Sequence, residues 1–221
     1  MAIGNNYNIK IMRKSTLLTL VLALGLGCAS CSSAQPSAPS DGNTTINDIM
    51  TRTSVRSYSD RVVESATVDT LLRAAMAAPT AVNKQPWRFV VINDRSTLNY
   101  LAENMGSMKM AANASVAVVL CGDTIAAVPG EGRDYWIQDV SAATENLLLA
   151  AHALRLGAVW CGIYPISERV AKFSELLRLP ENIIPMACVC IGYPAGETIP
   201  KDKWKPEYIH YNTWTDTDTA Q

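Results

Sequence analysis

Ala77-Ala78-Pro79-Thr80-Ala81-Val82-Asn83-Lys84-Gln85-Pro86-Trp87 marks a passage from helix to strand. Upstream, Val68 to Ala78 reads as a helix, with Thr67 as its N-cap and Pro79 as its stop, since proline cannot continue a helix. Downstream, Pro86 leads into an apolar strand over Phe89 to Ile92. The loop between them carries a hydroxyl and two side-chain amides, Thr80, Asn83 and Gln85. An amide offers a donor and an acceptor together, which is what reading the edge of a uracil-like ring requires. The plain alternative is a connection whose amides cap backbone groups.

Outward from this stretch, helices and strands mix without regular alternation. Ile46 to Met50 is a short helix, with Asn47 or Thr45 available as cap. Ser96 to Asn104 is a helix, and Val116 to Cys121 is a continuous apolar run, as a fully buried strand would be. A long helix spans Arg133 to Leu156, with Trp136, Val140, Ala143, Leu147, Ala150 and Leu154 on one stripe and Gly157 as its end. Ser167 to Leu179 follows as a helix between a Ser167 cap and a Pro180 stop, and Ala187 to Ile191 is a strand closed by Gly192. The order predicts an α+β fold, a mixed or antiparallel sheet under a layer of helices. No G-x-G-x-x-G follows a strand, which argues against a Rossmann fold.

A chain of 221 residues with a formal net charge of -1 suits one core-forming domain and gives no electrostatic reason to expect nucleic acid as a partner. The N-terminus reads differently. Arg13 and Lys14 precede an apolar run from Leu17 to Leu26 and the small residues Gly27 to Cys31, the order of a secretory signal. Met12 suits such a signal as a start better than Met1 does. The run is shorter than the roughly 20 residues that span a bilayer. A signal ending in small residues and then cysteine resembles a bacterial lipoprotein signal, in which Cys28 or Cys31 would carry the lipid. The alternative is a plain secretory signal with two incidental cysteines. We therefore divide the chain into a signal over residues 1–31, a Ser/Pro-rich tether over 32–44 and a folded domain over 45–221, exported and anchored to a membrane facing the periplasm. Export permits disulfides, yet Cys121, Cys161, Cys188 and Cys190 sit in apolar surroundings and are expected as buried free thiols. With His152 and His210 as the only histidines, no metal-ligand cluster is expected.

Two further segments bear on ligand binding. Arg52-Thr53-Ser54-Val55-Arg56 sets two guanidinium groups around a hydroxyl, and arginine's planar fork suits phosphate. Taken alone, it is also what a solvated charged loop looks like. The run Gly192-Tyr193-Pro194-Ala195-Gly196 turns the chain, and Lys201, Lys203 and Lys205 follow as candidate phosphate cations or an ordinary basic tail.

Together these segments resemble the nitroreductase family of flavoproteins from Ile46 to Trp214. The resemblance is carried by Arg52, Ser54 and Arg56, by Ala74 to Val91 with its Asn83-x-Gln85-Pro86-Trp87 element, by Gln138-Asp139, by Leu156 to Trp160, and by Ile191 to Pro194. It implies an intertwined, domain-swapped α+β homodimer with FMN at the subunit interface. Arg52 would then contact the FMN phosphate, Ser54 the ribityl–phosphate region and Arg56 the pyrimidine edge. Lys203 would reach the phosphate, with Lys205 or Lys201 as substitutes. Pro79, Thr80, Ala81 and Asn83 would approach from the other subunit, with Thr80 standing where serine is commoner. Backbone at Cys161 and Gly162 would lie near the reactive edge, and Lys109 near the ring. The implied activity is two-electron transfer through flavin N5 to nitroaromatic, quinone-like or other small acceptors, with no protein nucleophile or base. Trp136, Met108 and Met110 are pocket candidates, with core packing as their ordinary reading. NAD(P)H, the family's usual donor, is a cytoplasmic metabolite, so an exported domain is expected to use another donor, such as a membrane quinol or a redox protein, while accepting NAD(P)H in vitro. A membrane-held flavin carrier without turnover is the rival reading.

Overall fold

Val116–Asp123 (β2) is buried at every position, which a strand achieves at the centre of a sheet covered on both faces. In the computed structural model, which describes residues 44–214, β2 lies between Trp87–Ile92 (β1) and Ile183–Gly192 (β4), and Gly157–Gly162 (β3) completes the order β1-β2-β4-β3. Every pairing is antiparallel, with Val90 opposite Val119, Val118 opposite Val189 and Cys161 opposite Cys188. The signal and tether readings lie outside the described residues, apart from Thr44, which already opens the helix Thr44–Thr51 (α1). Thr45 and Asn47 are thus inside α1 rather than capping it.

The sheet is covered on both faces, not under one layer as the sequence suggested. Val116, Val118 and Leu120 face Ser65–Met76 (α2) and Tyr135–Ala153 (α4). Ala117, Val119 and Cys121 face Arg95–Asn104 (α3) and Ser167–Leu177 (α5). The period of two along β2 sends alternate apolar residues into two separate cores. Trp136 and Met108 are buried in these cores. The thiols of Cys121, Cys161, Cys188 and Cys190 are free and buried, and burial pushes Cys121 up to about 12.

Several boundaries differ from the sequence reading. The first turn of α2 forms ahead of Thr67, so Glu64 is its N-cap and Thr67 lies inside. Ile166, not Ser167, caps α5. Asp94 does cap α3 with its side chain, accepting from the Ser96 and Thr97 amides at 3.1 and 2.9 Å. Gly157 does not end α4. Arg155 takes the left-handed conformation there, with φ of 61°, and Leu156 N–H closes back on the Ala151 carbonyl at 2.8 Å. Gly157 instead opens β3, where a Cβ would stand 2.6 Å from Val55.

Two outcomes follow. Gly122→Ala would put its Cβ 2.1 Å from the Trp136 ring, whereas Gly106 faces open space. Urea denaturation should show a loss of about 1–3 kcal/mol for Gly122→Ala and under about 0.5 kcal/mol for Gly106→Ala. Hydrogen bonds from Thr97 and Ser96 lower the Asp94 carboxyl from 3.8 to about 2. Its contribution to stability is therefore complete above the ordinary carboxylate value and lost as pH falls through about 2. Acid titration of Asp94→Ala should lack that part of the wild-type decline.

Candidate functional site

The segment that carries Ser54 and Arg56 runs extended along the outer edge of β3. Ser54 bridges Ala158 in parallel, and Val55 N–H donates to the Ala158 carbonyl at 3.0 Å. Tyr58 then crosses the end of β4. Its hydroxyl lies 2.8 Å from the Val55 carbonyl and 2.9 Å from the Cys190 carbonyl, and Gly192 gives its ring room. Burial, together with the neighbouring thiols, raises the phenol far above its ordinary value, so it stays a neutral donor. Ser54 and Arg56, both exposed, thus project from a backbone pinned on one side by β3 and at its end by Tyr58.

Two adjoining cavities gather the cations. One, of ≈ 470 Å³, is lined by Arg52, Lys201, Lys203 and Trp204, with Asp202 as its acid. The other, of ≈ 490 Å³, is lined by Ser54, Arg56, Gly196 and again Lys201, with Glu197. Lys201 belongs to both. Arg52 is oriented by α4: its Nε lies 3.2 Å from Glu145 Oε1, which leaves the terminal nitrogens of its fork for another partner. Gly196 faces open space where a Cβ would stand, so its backbone is open to close approach. The structure therefore joins Arg52 to Lys203 and Ser54 to Arg56, with Lys201 between them. Lys205 stands apart, 3.9 Å from Glu207.

Cys161 and Gly162 end β3. Hydrogen bonding to Cys190 and burial raise the Cys161 thiol, and the charges of Arg56 and Arg169 act against that rise. Gly162 is exposed and lines a third cavity, of ≈ 240 Å³, with Gly106, Met108 and Arg169. Lys109, exposed at the start of the turn Lys109–Asn113, does not line it.

The loop with Pro79, Thr80, Ala81 and Asn83 lines neither of the cationic cavities. It is a strained turn: Val82, Asn83 and Gln85 all take left-handed backbone, at φ of 42°, 56° and 50°. Side chains hold it there. Asp139, buried in α4, accepts from Ala81 N–H at 2.8 Å, Thr80 Oγ1 accepts from Gln85 N–H at 3.1 Å, and Gln85 Nε2 donates to Asn83 Oδ1 at 2.9 Å. The sequence marks Asp139 only as part of the Gln138-Asp139 pair that carries the resemblance, and gives Glu145 no role. An acid on the apolar stripe of α4 was the available signal for Asp139; nothing in the pattern set Glu145 apart from a solvated face.

The chain matches the profile of the Nitroreductase family over residues 49–108 and 99–193. A relative from Archaeoglobus fulgidus, whose name pairs NADH dehydrogenase with NAD(P)H nitroreductase, is 44% identical over 170 residues, covering 75% of this chain and 96% of its own. The crystal structure of a protein with the same paired name from Parabacteroides distasonis superposes with a TM-score of 0.74 at 41% identity, over 78% of this chain and 100% of that one. An FMN-dependent nitroreductase from Clostridium difficile gives 0.69 at 28% identity, over 76% and 99%.

Removing the Asp139 carboxylate leaves the Ala81 amide without its partner, at a cost of about 1–3 kcal/mol. In Asp139→Ala, hydrogen exchange at Ala81 and Gln85 should quicken while β2 amides stay protected. Unchanged exchange in the loop would mean that Asp139 does not hold it.

Proposed function

The chain belongs to the nitroreductase family, and we propose that it is an FMN-dependent oxidoreductase that passes two electrons from a donor to nitroaromatic, quinone-like or other small acceptors. The observation that carries this reading is the placement of Arg52 and Lys203 on one cavity and of Ser54 and Arg56 on the next, with Lys201 on both. A doubly charged phosphate suits the first: three cations face one carboxylate there, and Arg52 already has its fork oriented by Glu145. When bound, FMN supplies the hydride and electron chemistry. The protein's part is to hold the phosphate through Arg52 and Lys203, to meet the ribityl–phosphate region with Ser54, and to set the Arg56 cation beside the pyrimidine edge. A fixed cation favours the charge that this edge gains on reduction, the preorganised electrostatics of an oxyanion hole.

We also propose a homodimer, in which the Pro79–Asn83 loop serves the other subunit's site. Supporting this, the loop is strained, pinned from behind by Asp139, and carries Val82 with 79% of its surface exposed. The N-terminal pattern of Arg13, Lys14, the Leu17–Leu26 run and Cys28 or Cys31 supports export with a lipid anchor at the periplasmic side of a membrane. In that compartment the physiological donor is a quinol or a redox protein, and NAD(P)H serves in vitro.

The purified protein, expressed with added riboflavin, should show a flavin absorbance spectrum near one FMN per chain. Arg52→Ala with Arg56→Ala should weaken FMN on the order of 100-fold or more, since each removes a charge-assisted contact. A colourless protein that takes up no added FMN would overturn the reading. Bound FMN that no donor and acceptor pair can turn over would leave a carrier.

A further inference from the structure

The link from β3 into α5 is fixed peptide by peptide. The Ile163 and Tyr164 amides both donate to the Met186 carbonyl of β4, at 3.0 and 3.1 Å. The Gly162 carbonyl accepts from Arg169 Nη1 at 2.9 Å, a contact made from the first turn of α5 back to the end of β3. Gly162 lies outside the left-handed region, and a Cβ there would meet nothing within 4 Å. Neither backbone conformation nor packing within the chain calls for glycine. Gly106, on the same ≈ 240 Å³ cavity, is alike in both respects. Bare backbone on two sides of a cavity floored by Met108 and Phe173 leaves room for a flat group to lie close.

The charge on this cavity is not balanced. Lys172 and Glu168 satisfy each other at 2.8 Å. Arg169 has no salt bridge of its own among the described residues, and it is partly buried. Arg56 stands on the segment that runs along the outer edge of β3, where Ser54 and Val55 meet Ala158. Guanidinium groups from two separate elements, the edge segment and α5, thus stand beside β3, and Arg169 touches its end.

We propose that Arg169 is a positioning residue for the ring end of the FMN site, fixing the Gly162 peptide and adding a second fixed positive charge to that of Arg56. This rests on the FMN reading above. Two electrons and one proton taken up by oxidised flavin leave a ring with one negative charge, so a nearby cation favours the reduced over the oxidised form. Oxidised FMN, held mainly through its phosphate, gains much less from that charge. Arg169 should therefore govern the reduction potential more than it governs affinity.

The test is anaerobic reductive titration of the full-length holoprotein against a reference dye, comparing wild type with R169K, R169Q and R169E. The expected order of midpoint potential is wild type and R169K together, R169Q lower and R169E lowest, with FMN affinity, read by fluorescence titration, within about threefold throughout. Reduction of R169Q by NADH should slow in kcat roughly tenfold with little change in KM, less than the loss of an oxyanion-hole donor because the site is partly open to water. Should R169Q hold FMN poorly, R169K and R169E still give the comparison. Equal potentials across the series, or R169K falling with R169Q, would overturn the role of Arg169 while leaving the FMN reading intact. A wild-type protein without FMN would overturn the FMN reading itself.

Discussion

The phenol of Tyr58 ties the segment that carries Ser54 and Arg56 to the sheet. Its single proton lies within reach of two carbonyls, Val55 on its own segment and Cys190 on β4. One bond curls the segment and the other docks it. The ring is buried over Gly192, so a hydroxyl deprived of both carbonyls would be a polar atom in a largely apolar setting. The segment from Ser54 to Tyr58 has no helix or full strand of its own. Its geometry is borrowed from β3 through Ala158 and from β4 through Tyr58. Ser54 and Arg56 are oriented only as well as those two attachments allow, so the candidate site depends on the sheet core directly.

The same economy explains what could be read from the sequence. β2 was legible because its continuous apolar run has one physical explanation, burial on both faces. The loop after Pro79 was legible because proline stops a helix whatever surrounds it. β3 was not legible as a strand: Gly157 to Gly162 is short, begins and ends in glycine, and gains its strand character mainly from β4. Gly157 looked like a helix end because glycine usually supplies left-handed backbone there, but Arg155 supplies it and the glycine is needed for Val55. Among site residues, Arg52, Ser54 and Arg56 stood out through spacing and family resemblance. Glu145 and Arg169 did not, because a charge on a helix reads as a solvated face until the element packed against it is known, and Asp139 entered only through the Gln138-Asp139 pair of the resemblance. Lys205, which its place in a basic run suggested for phosphate, lies outside the two cationic cavities, 3.9 Å from Glu207.

Strain at the Pro79–Gln85 turn fits this picture. Left-handed backbone at Val82 is costly because a β-branched side chain crowds the carbonyl, and single residues of this kind cost on the order of 1–3 kcal/mol. Three hydrogen bonds within and behind the turn offset that cost, and the strongest of them uses a buried carboxylate. Placing an acid in a helix core is itself unfavourable unless it is paired. The pairing of one unfavourable feature with another, the acid with the strained loop, makes sense when what is selected is the loop's shape.

Charge distribution leads to the same conclusion by another route. The chain as a whole is near neutral, at -1, yet Arg52, Arg56, Arg169, Lys201 and Lys203 line three cavities, two of which share Lys201. Cations brought together repel one another, and folding must hold them there. Glu145 does this for Arg52 through Nε, so the ion pair aligns the guanidinium without consuming its outer edge. The Gly162 carbonyl does it for Arg169 through one terminal nitrogen, a neutral acceptor that leaves the charge whole. A carboxylate at that position would orient Arg169 as well, but would cancel the field it contributes. The choice of partner therefore separates the two arginines: one is oriented to hand hydrogen bonds to an anion, the other to keep a positive potential beside bare backbone.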